Sequence, residues 1–306
     1  MSDDLTNNWG VNYTLVPTCG AAMKKALMKL NRVEKGKYGE NEFVEIVNRD
    51  LGGAFFVSKV TSSGSDANLF AVAQATQGST ARCLVGCGAF VAGDNGPLQS
   101  WSTSKFEIKA TSPCGIMHSN DTELLEFARN NTVPLPYHLP GAMGITELRI
   151  YEKKCLMTIH NRCLIAQMAK EPYQAILLEL VLASNGAVLS DHALLCLGKL
   201  CKHHGISIVV DEIMTGGRLG SLLYTRTKPR EFVNEVSHIT LGKWVCLGLT
   251  LISKKHRDMN YQIQSQMAYR GPSFRREDCG GAILVWHHVA SNQKNVQKRR
   301  KALIKK

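Results

Sequence analysis

The segment Ile206-Ser207-Ile208-Val209-Val210 is rich in β-branched residues and passes straight into Asp211-Glu212. Upstream, Ala175-Ile176-Leu177-Leu178-Glu179-Leu180 is a second continuous apolar run with an acid near its end. Between them, residues 191–203 read as a helix, with Ser190 placed to cap it and Gly205 to end it. Strands that are apolar throughout, joined through a helix, are buried on both faces, which is the pattern of a parallel sheet. That order constrains the fold class to α/β, with a mostly parallel sheet and helices on both faces. In such a sheet, ligands bind beyond the carboxyl ends of the strands. Glu179 and Asp211 therefore stand where a site is expected; the competing reading of each is a helix cap or a surface turn.

The chain has 306 residues, 44% of them hydrophobic, enough for a sizeable core in one large domain or two moderate ones. Ten cysteines at this length are too dilute for a disulfide scaffold. No run approaches the roughly 20 apolar residues of a membrane span. The start, Met1-Ser2-Asp3-Asp4, is too acidic for a secretory leader. A reducing compartment with free thiols is expected, the cytoplasm by default and an organelle left open. The net charge is +12, but seven basic residues fall in the last 13 positions, and without them the excess is +5. This basicity is local, and a solvated helix end explains it better than nucleic-acid binding.

Further elements are legible. Residues 21–31 read as a short amphipathic helix, with Met23, Ala26, Leu27 and Leu30 on one face. Phe55-Phe56-Val57 and Cys83-Leu84-Val85 read as strands, with a buried helix over 66–77 between them. Residues 94–145 are rich in Gly, Pro, Ser and Asn, and 279–305 read as one long helix.

Two more places carry chemistry. Ser63-Gly64-Ser65-Asp66-Ala67-Asn68 opens a helix directly after a turn. Its small residues and helix N-terminus suit a phosphate, and an ordinary Ser/Asp cap is the alternative. Lys243 lies in Ile239-Thr240-Leu241-Gly242-Lys243-Trp244, an apolar setting that predicts a desolvated, nucleophilic amine. A lysine that reaches solvent is the alternative. A phosphate turn, an acid at a strand end and a later lysine are together what pyridoxal phosphate needs. The lysine forms the Schiff base, the acid holds the pyridine nitrogen protonated, and the turn grips the phosphate.

Asp211-Glu212-Ile213-Met214-Thr215-Gly216-Gly217-Arg218-Leu219-Gly220 resembles the DE-x-x-TG-x-GR-x-G signature of class III aminotransferases, which are fold type I pyridoxal-phosphate enzymes. The segment around Ser65 resembles their SG-S/T-E/D-A phosphate loop. The resemblance covers roughly residues 45–290. It implies a cofactor domain over 46–278, between an N-terminal segment (1–45) and a basic C-terminal helix (279–306). It implies catalytic roles for Lys243 and Asp211, and phosphate contacts from Gly64, Ser65 and Asp66. Phe90 is the implied stacking aromatic, Glu179 the acid of the E-P-x-x-G segment, and Ile213 and Met214 further cofactor neighbours. Ser273-Phe274 resembles the T-F pair that reaches the phosphate of the neighbouring subunit, so a homodimer is implied.

The sequence also departs from the family pattern. The signature is one residue short before Arg218, and Met214 stands where many members have Gln. Val91 replaces a His, and Leu180 replaces the Pro after Glu179. The chain stops after the helix at 279–305, where the family continues into a small domain, so a chain lacking that domain is expected.

The implied activity is amino-group transfer between a small amino donor and an oxo acid or aldehyde. An aminomutase or racemase, or a cofactor-binding relative without turnover, are the alternatives. Gly86-Cys87-Gly88 with Gly93 does not complete a dinucleotide loop, and Cys196, Cys201, His203 and His204 are wrongly spaced for zinc. No metal is therefore expected.

Overall fold

The computed structural model describes residues 39–77, 82–86, 131–183, 185–259 and 276–304. Seven strands form one sheet. They are β1 (Phe55–Thr61), β2 (Cys83–Gly86), β3 (Thr132–Val133), β4 (Ala175–Glu179), β5 (Ser207–Asp211), β6 (Val236–Leu241) and β7 (Gly248–Ser253). Their order across the sheet is β1-β7-β6-β5-β4-β2-β3. Neighbours pair in parallel except at β7, which runs antiparallel to both β1 and β6. Around the sheet lie α1 (Glu40–Asp50), α2 (Gly64–Ala75), α3 (Ile145–Met168), α4 (Asp191–His204), the short α5 (Arg230–Val233) and α6 (Lys254–Met259), and the long α7 (Arg276–Ile304).

The alternation of strand side chains splits the core into two layers. Ala175, Leu177 and Val209 point to the side where α2 supplies Leu69, Ala71 and Val72. Ile176, Leu178, Ile208 and Val210 point to the opposite side, which takes Leu194, Leu197 and Cys201 of α4. Helix α2 is apolar on nearly every side because it lies flat against the sheet. Thr250 Oγ1 donates to Ala67 O at 2.9 Å, and Ser58 Oγ donates to Gln74 Oε1 at 2.9 Å, so both β7 and β1 hold it.

The strands expected at 55–57, 83–85, 175–180 and 206–210 are present, β1 extending to Thr61. Ser190 caps α4 as expected: its hydroxyl accepts from Ala193 N at 3.0 Å, and Gly205 ends the helix at φ 68°. The long C-terminal helix spans Arg276–Ile304. The expected helix at 21–31 lies outside the described residues. No described helix is long and apolar enough to cross a membrane.

The first half of α7 packs into the main core through Ala282, Ile283, Val285, Trp286 and Val289. The Trp286 ring stacks on Trp244 at 5.3 Å and meets Phe43 of α1 edge-on at 6.5 Å. Its Nε1 donates to Asp50 Oδ2 at 3.0 Å. One fully buried indole thus joins α1, α7 and the turn after β6. Trp286→Ala should cost about 3–5 kcal/mol through the cavity and the lost hydrogen bond to Asp50. Denaturant unfolding measures this, and a loss below about 1 kcal/mol would show that the site collapses freely.

Candidate functional site

The carboxyl ends of β1, β4, β5 and β6 share one edge of the sheet. Register places Glu179, Asp211 and Thr240 side by side across β4, β5 and β6. The same alternation that sends Leu177 and Val209 toward α2 sends these three residues toward it as well. Asp211 is buried, and each carboxylate oxygen accepts one hydrogen bond. Asn68 Nδ2 donates to Oδ2 at 2.7 Å, and the Ile213 N–H donates to Oδ1 at 2.8 Å. Thr240 Oγ1 in turn donates to Asn68 Oδ1 at 2.6 Å. Burial pushes the Asp211 pKa up to about 6, against the pull of Asn68, the Ile213 N–H and the nearby Lys243 ammonium.

Glu212 points away from this edge. It is fully buried and accepts from Tyr224 N at 2.6 Å, Thr225 N at 2.6 Å and Thr225 Oγ1. Burial pushes it up to about 7 against these donors. It anchors the turn Tyr224–Thr227, so the two acids of the signature divide the work: Asp211 faces the edge and Glu212 holds the chain behind it.

Lys243 opens the 3-10 turn Lys243–Val245 after β6, in the left-handed region at φ 47°. Holding a non-glycine residue there costs on the order of 1–2 kcal/mol, and the packing of its neighbours sustains it. Trp244 and Val245 are buried, whereas Lys243 is exposed. The expectation of a desolvated lysine is therefore corrected. The apolar neighbours turn inward onto Trp286 and leave the lysine to reach outward over the edge.

Three glycines make the approach of the loops possible. A Cβ on Gly248 would lie 2.0 Å from Ser63 O, and one on Gly242 would lie 3.0 Å from Gly64 Cα. A Cβ on Gly64 would lie 2.6 Å from Ile213 Cδ1. The turn before α2 is thus seated against both ends of the β6–β7 connection, with Ile213 as its apolar floor.

Within that turn, Ser63 is an N-cap. Its Oγ accepts from Asp66 N at 3.1 Å, and its carbonyl accepts from Ala67 N at 3.1 Å. The Asp66 carboxylate accepts from Ser62 Oγ at 2.6 Å and Ser63 Oγ at 2.8 Å. The Gly64 and Ser65 N–H groups belong to the first turn and have no intrahelical acceptor. Both readings of this segment coexist: Ser63 and Asp66 build the cap, and the capped helix start presents its N–H groups at the edge.

The other expected site residues divide. Glu179 is buried beside Asp211, but its Oε2 accepts from Ala183 N at 2.9 Å, so it also shapes the following turn. The Met214 carbonyl and sulfur face Arg218 Nη1 at 3.2 and 3.7 Å. Phe90, Val91 and Ser273 lie outside the described residues. Asn68, Thr240 and the Gly242–Gly248 pair had no role in the sequence reading. A lone amide inside the apolar helix run 67–73 was the available signal, since a buried amide needs partners.

No protein-family model matches the chain, and no curated protein matches it. Solved structures do. An amine transaminase from an uncultivated Pseudomonas species, in its pyridoxal-phosphate-bound internal aldimine form, superposes with a TM-score of 0.63 at 20% identity over 89% of this chain. Lysine aminotransferase from M. tuberculosis, also in the internal aldimine form, gives 0.64 at 15% identity over 93%. A phospholyase from Arthrobacter, in complex with phosphoethanolamine, gives 0.64 at 17% over 91%. The chain spans 63%, 65% and 63% of those structures' lengths respectively. At these identities the likeness establishes the fold: a mostly parallel sheet flanked by helices, as in fold type I transferases.

The Thr240–Asn68–Asp211 chain generates a stability prediction. Asn68→Ala should cost about 1–3 kcal/mol, because it strips a donor from one buried group and an acceptor from another. Asn68→Asp should cost more at neutral pH, where it sets a second carboxylate against Asp211. Since Asp211 already titrates near 6, that extra penalty is present above this pH and shrinks as the pH falls and the pair takes up a proton. Unfolding free energies of both variants between pH 5 and 8 test it; a constant gap between them would contradict the assignment.

Proposed function

We propose that this chain is a pyridoxal-phosphate-binding domain that serves amino-group transfer between small amino and oxo compounds. The observation that carries the reading is the meeting, at one sheet edge, of buried Asp211, Lys243 and the capped start of α2. The residues fit the group. A carboxylate forced toward neutrality by burial is matched by a protonated ring nitrogen, which would supply the positive charge it lacks. The cradle, which a Cβ on Gly64, Gly242 or Gly248 would obstruct, brings the turn close to the lysine.

When bound, the cofactor supplies an electron sink for charge released at the substrate Cα. In this reading Asp211 holds the ring nitrogen protonated, and Asn68 and the Ile213 N–H hold Asp211. Lys243 Nζ would be the amine that holds the cofactor, and, once free, the base that moves the proton at the substrate Cα. The Gly64 and Ser65 N–H groups and the helix N-terminus take the phosphate. Asp66 serves that contact by ordering the turn, because its carboxylate is occupied by Ser62 and Ser63. Ile213, Met214 and Glu179 would be further neighbours of the cofactor. Phe90 as stacking aromatic, Ser273 as phosphate contact from a second subunit, and a homodimer that shares the site complete the proposal.

Borohydride reduction in the presence of pyridoxal phosphate, followed by peptide mapping, should place the adduct on Lys243. An adduct on Lys199 or Lys202 instead would sink the assignment. Asp211→Asn should retain cofactor yet slow the half-reaction with an amino donor by a factor on the order of 100 or more, since charge on the ring grows toward the transition state. Single-turnover absorbance measures that rate, and an undiminished value would assign Asp211 another role.

A further inference from the structure

Away from the sheet edge, α3 and α4 enclose a groove of about 460 Å³ lined by Arg149, Lys153, Leu156, Met157, His192 and Cys196, among others. Glu152 of α3 is fully buried at its base, and three donors meet its carboxylate. They are Ser190 Oγ, Arg149 Nη1 at 2.6 Å and His192 Nδ1 at 2.8 Å. A carboxylate only accepts, so His192 Nδ1 carries the proton and donates. Its Nε2 lies 3.7 Å from Cys196 Sγ one helical turn away. Cys196 Sγ thus meets an imidazole whose ring is held in place by a buried acid. This is the arrangement by which an imidazole draws the proton from a thiol.

Two observations select the chemistry. Cys196 and His192 sit within α4, where the N–H of Cys196 is spent on the helix ladder. Acyl transfer needs donors for a developing oxyanion, and this setting offers none from that backbone. Exchange between sulfurs needs only a thiolate and an acid for the departing sulfur. The groove's charge then selects the partner. Arg149 is spent on Glu152, so exposed Lys153 supplies the positive charge on walls otherwise built largely of Leu156, Met157 and Leu200, and among the described lining residues no acid lines the groove.

We infer that Cys196, His192 and Glu152 form a second reactive site, which takes up small anionic disulfides by thiol–disulfide exchange. Cys196 Sγ attacks one sulfur of the disulfide, and a mixed disulfide forms as the original S–S bond breaks. Cys196 is oxidised and the departing half is reduced. The proton held on His192 Nε2 leaves with that half as a thiol. This inference stands apart from the cofactor reading, because it uses none of the same residues.

The chain, treated with dithiobis-nitrobenzoate (a dianionic disulfide) and with neutral dithiodipyridine, tests it by timed quenching and peptide mapping. Cys196 should react before Cys246, which is exposed and has no histidine partner of this kind among the described residues. His192→Ala should slow Cys196 by about tenfold or more, because a free thiol is only a few per cent thiolate at neutral pH. Lys153→Gln, on an exposed side chain, should slow only the anionic reagent. Cys196 reacting no faster than Cys246, or equally fast in folded His192→Ala, would overturn the inference. Should His192→Ala fail to fold, equal slowing of both reagents in Lys153→Gln would overturn the anion selectivity on its own.

Discussion

The hydrogen-bond chain from Thr240 through Asn68 to Asp211 ties three segments of distant sequence into one piece. It lies in the interior, where an unpaired polar group costs several times what the bond gains. Helix α2 can therefore neither rotate nor slide without breaking two buried bonds at once. That constraint fixes the direction of the helix start and hence of the first-turn N–H groups. It also orients the Asp211 carboxylate and keeps it accepting at both oxygens. The position of the turn before α2 and the orientation of the acid follow from the same amide.

How much of this was legible in the sequence depends on whether a signal was local. Strands β4 and β5 announced themselves because burial on both faces leaves nothing but apolar residues between their turns. Helix α4 carried its own cap and stop in Ser190 and Gly205. Helix α3 was missed: Ile150, Met157 and Ile165 stay exposed on it, so its apolar residues mark no single face. Strand β7 was missed because it is buried almost throughout, so Gly248-Leu249-Thr250-Leu251-Ile252 shows no alternation that marks a strand. The acid and the turn could be placed by the fold rule for strand ends, but the three glycines that seat the turn could not, since their need arises only when β1 and β7 meet. Lys243 shows the same limit. Its neighbours are apolar, yet a single left-handed residue separates their direction from its own.

Helix α7 supports the site from behind. Gln293 Nε2 donates to Gly217 O at 3.0 Å, and Gln297 Nε2 donates to Gly220 O at 2.6 Å. These bonds fasten the loop after Asp211, while the stacked indoles of Trp286 and Trp244 fasten the turn that holds Lys243. A Cβ on Gly217 would lie 2.9 Å from both Trp244 and Val289, so that loop is pressed as closely as the glycine permits. Gly217 sits there in the left-handed region at φ 68°.

The antiparallel strand β7 lies between β1 and β6, and this has a consequence for the order in which the molecule is assembled. Thr61 pairs with Gly248, so the turn before α2 finds its seat only in a partner roughly 190 residues further along the chain, a long loop to close before any contact rewards it. During synthesis the parallel strands β2, β4 and β5 can associate while that seat does not yet exist. The part of the sheet that carries Asp211 is then built early, and the part that seats Ser63 beside it is built last. The cradle is in this sense a record of completion: a chain interrupted before β7 would keep much of its core and have no site.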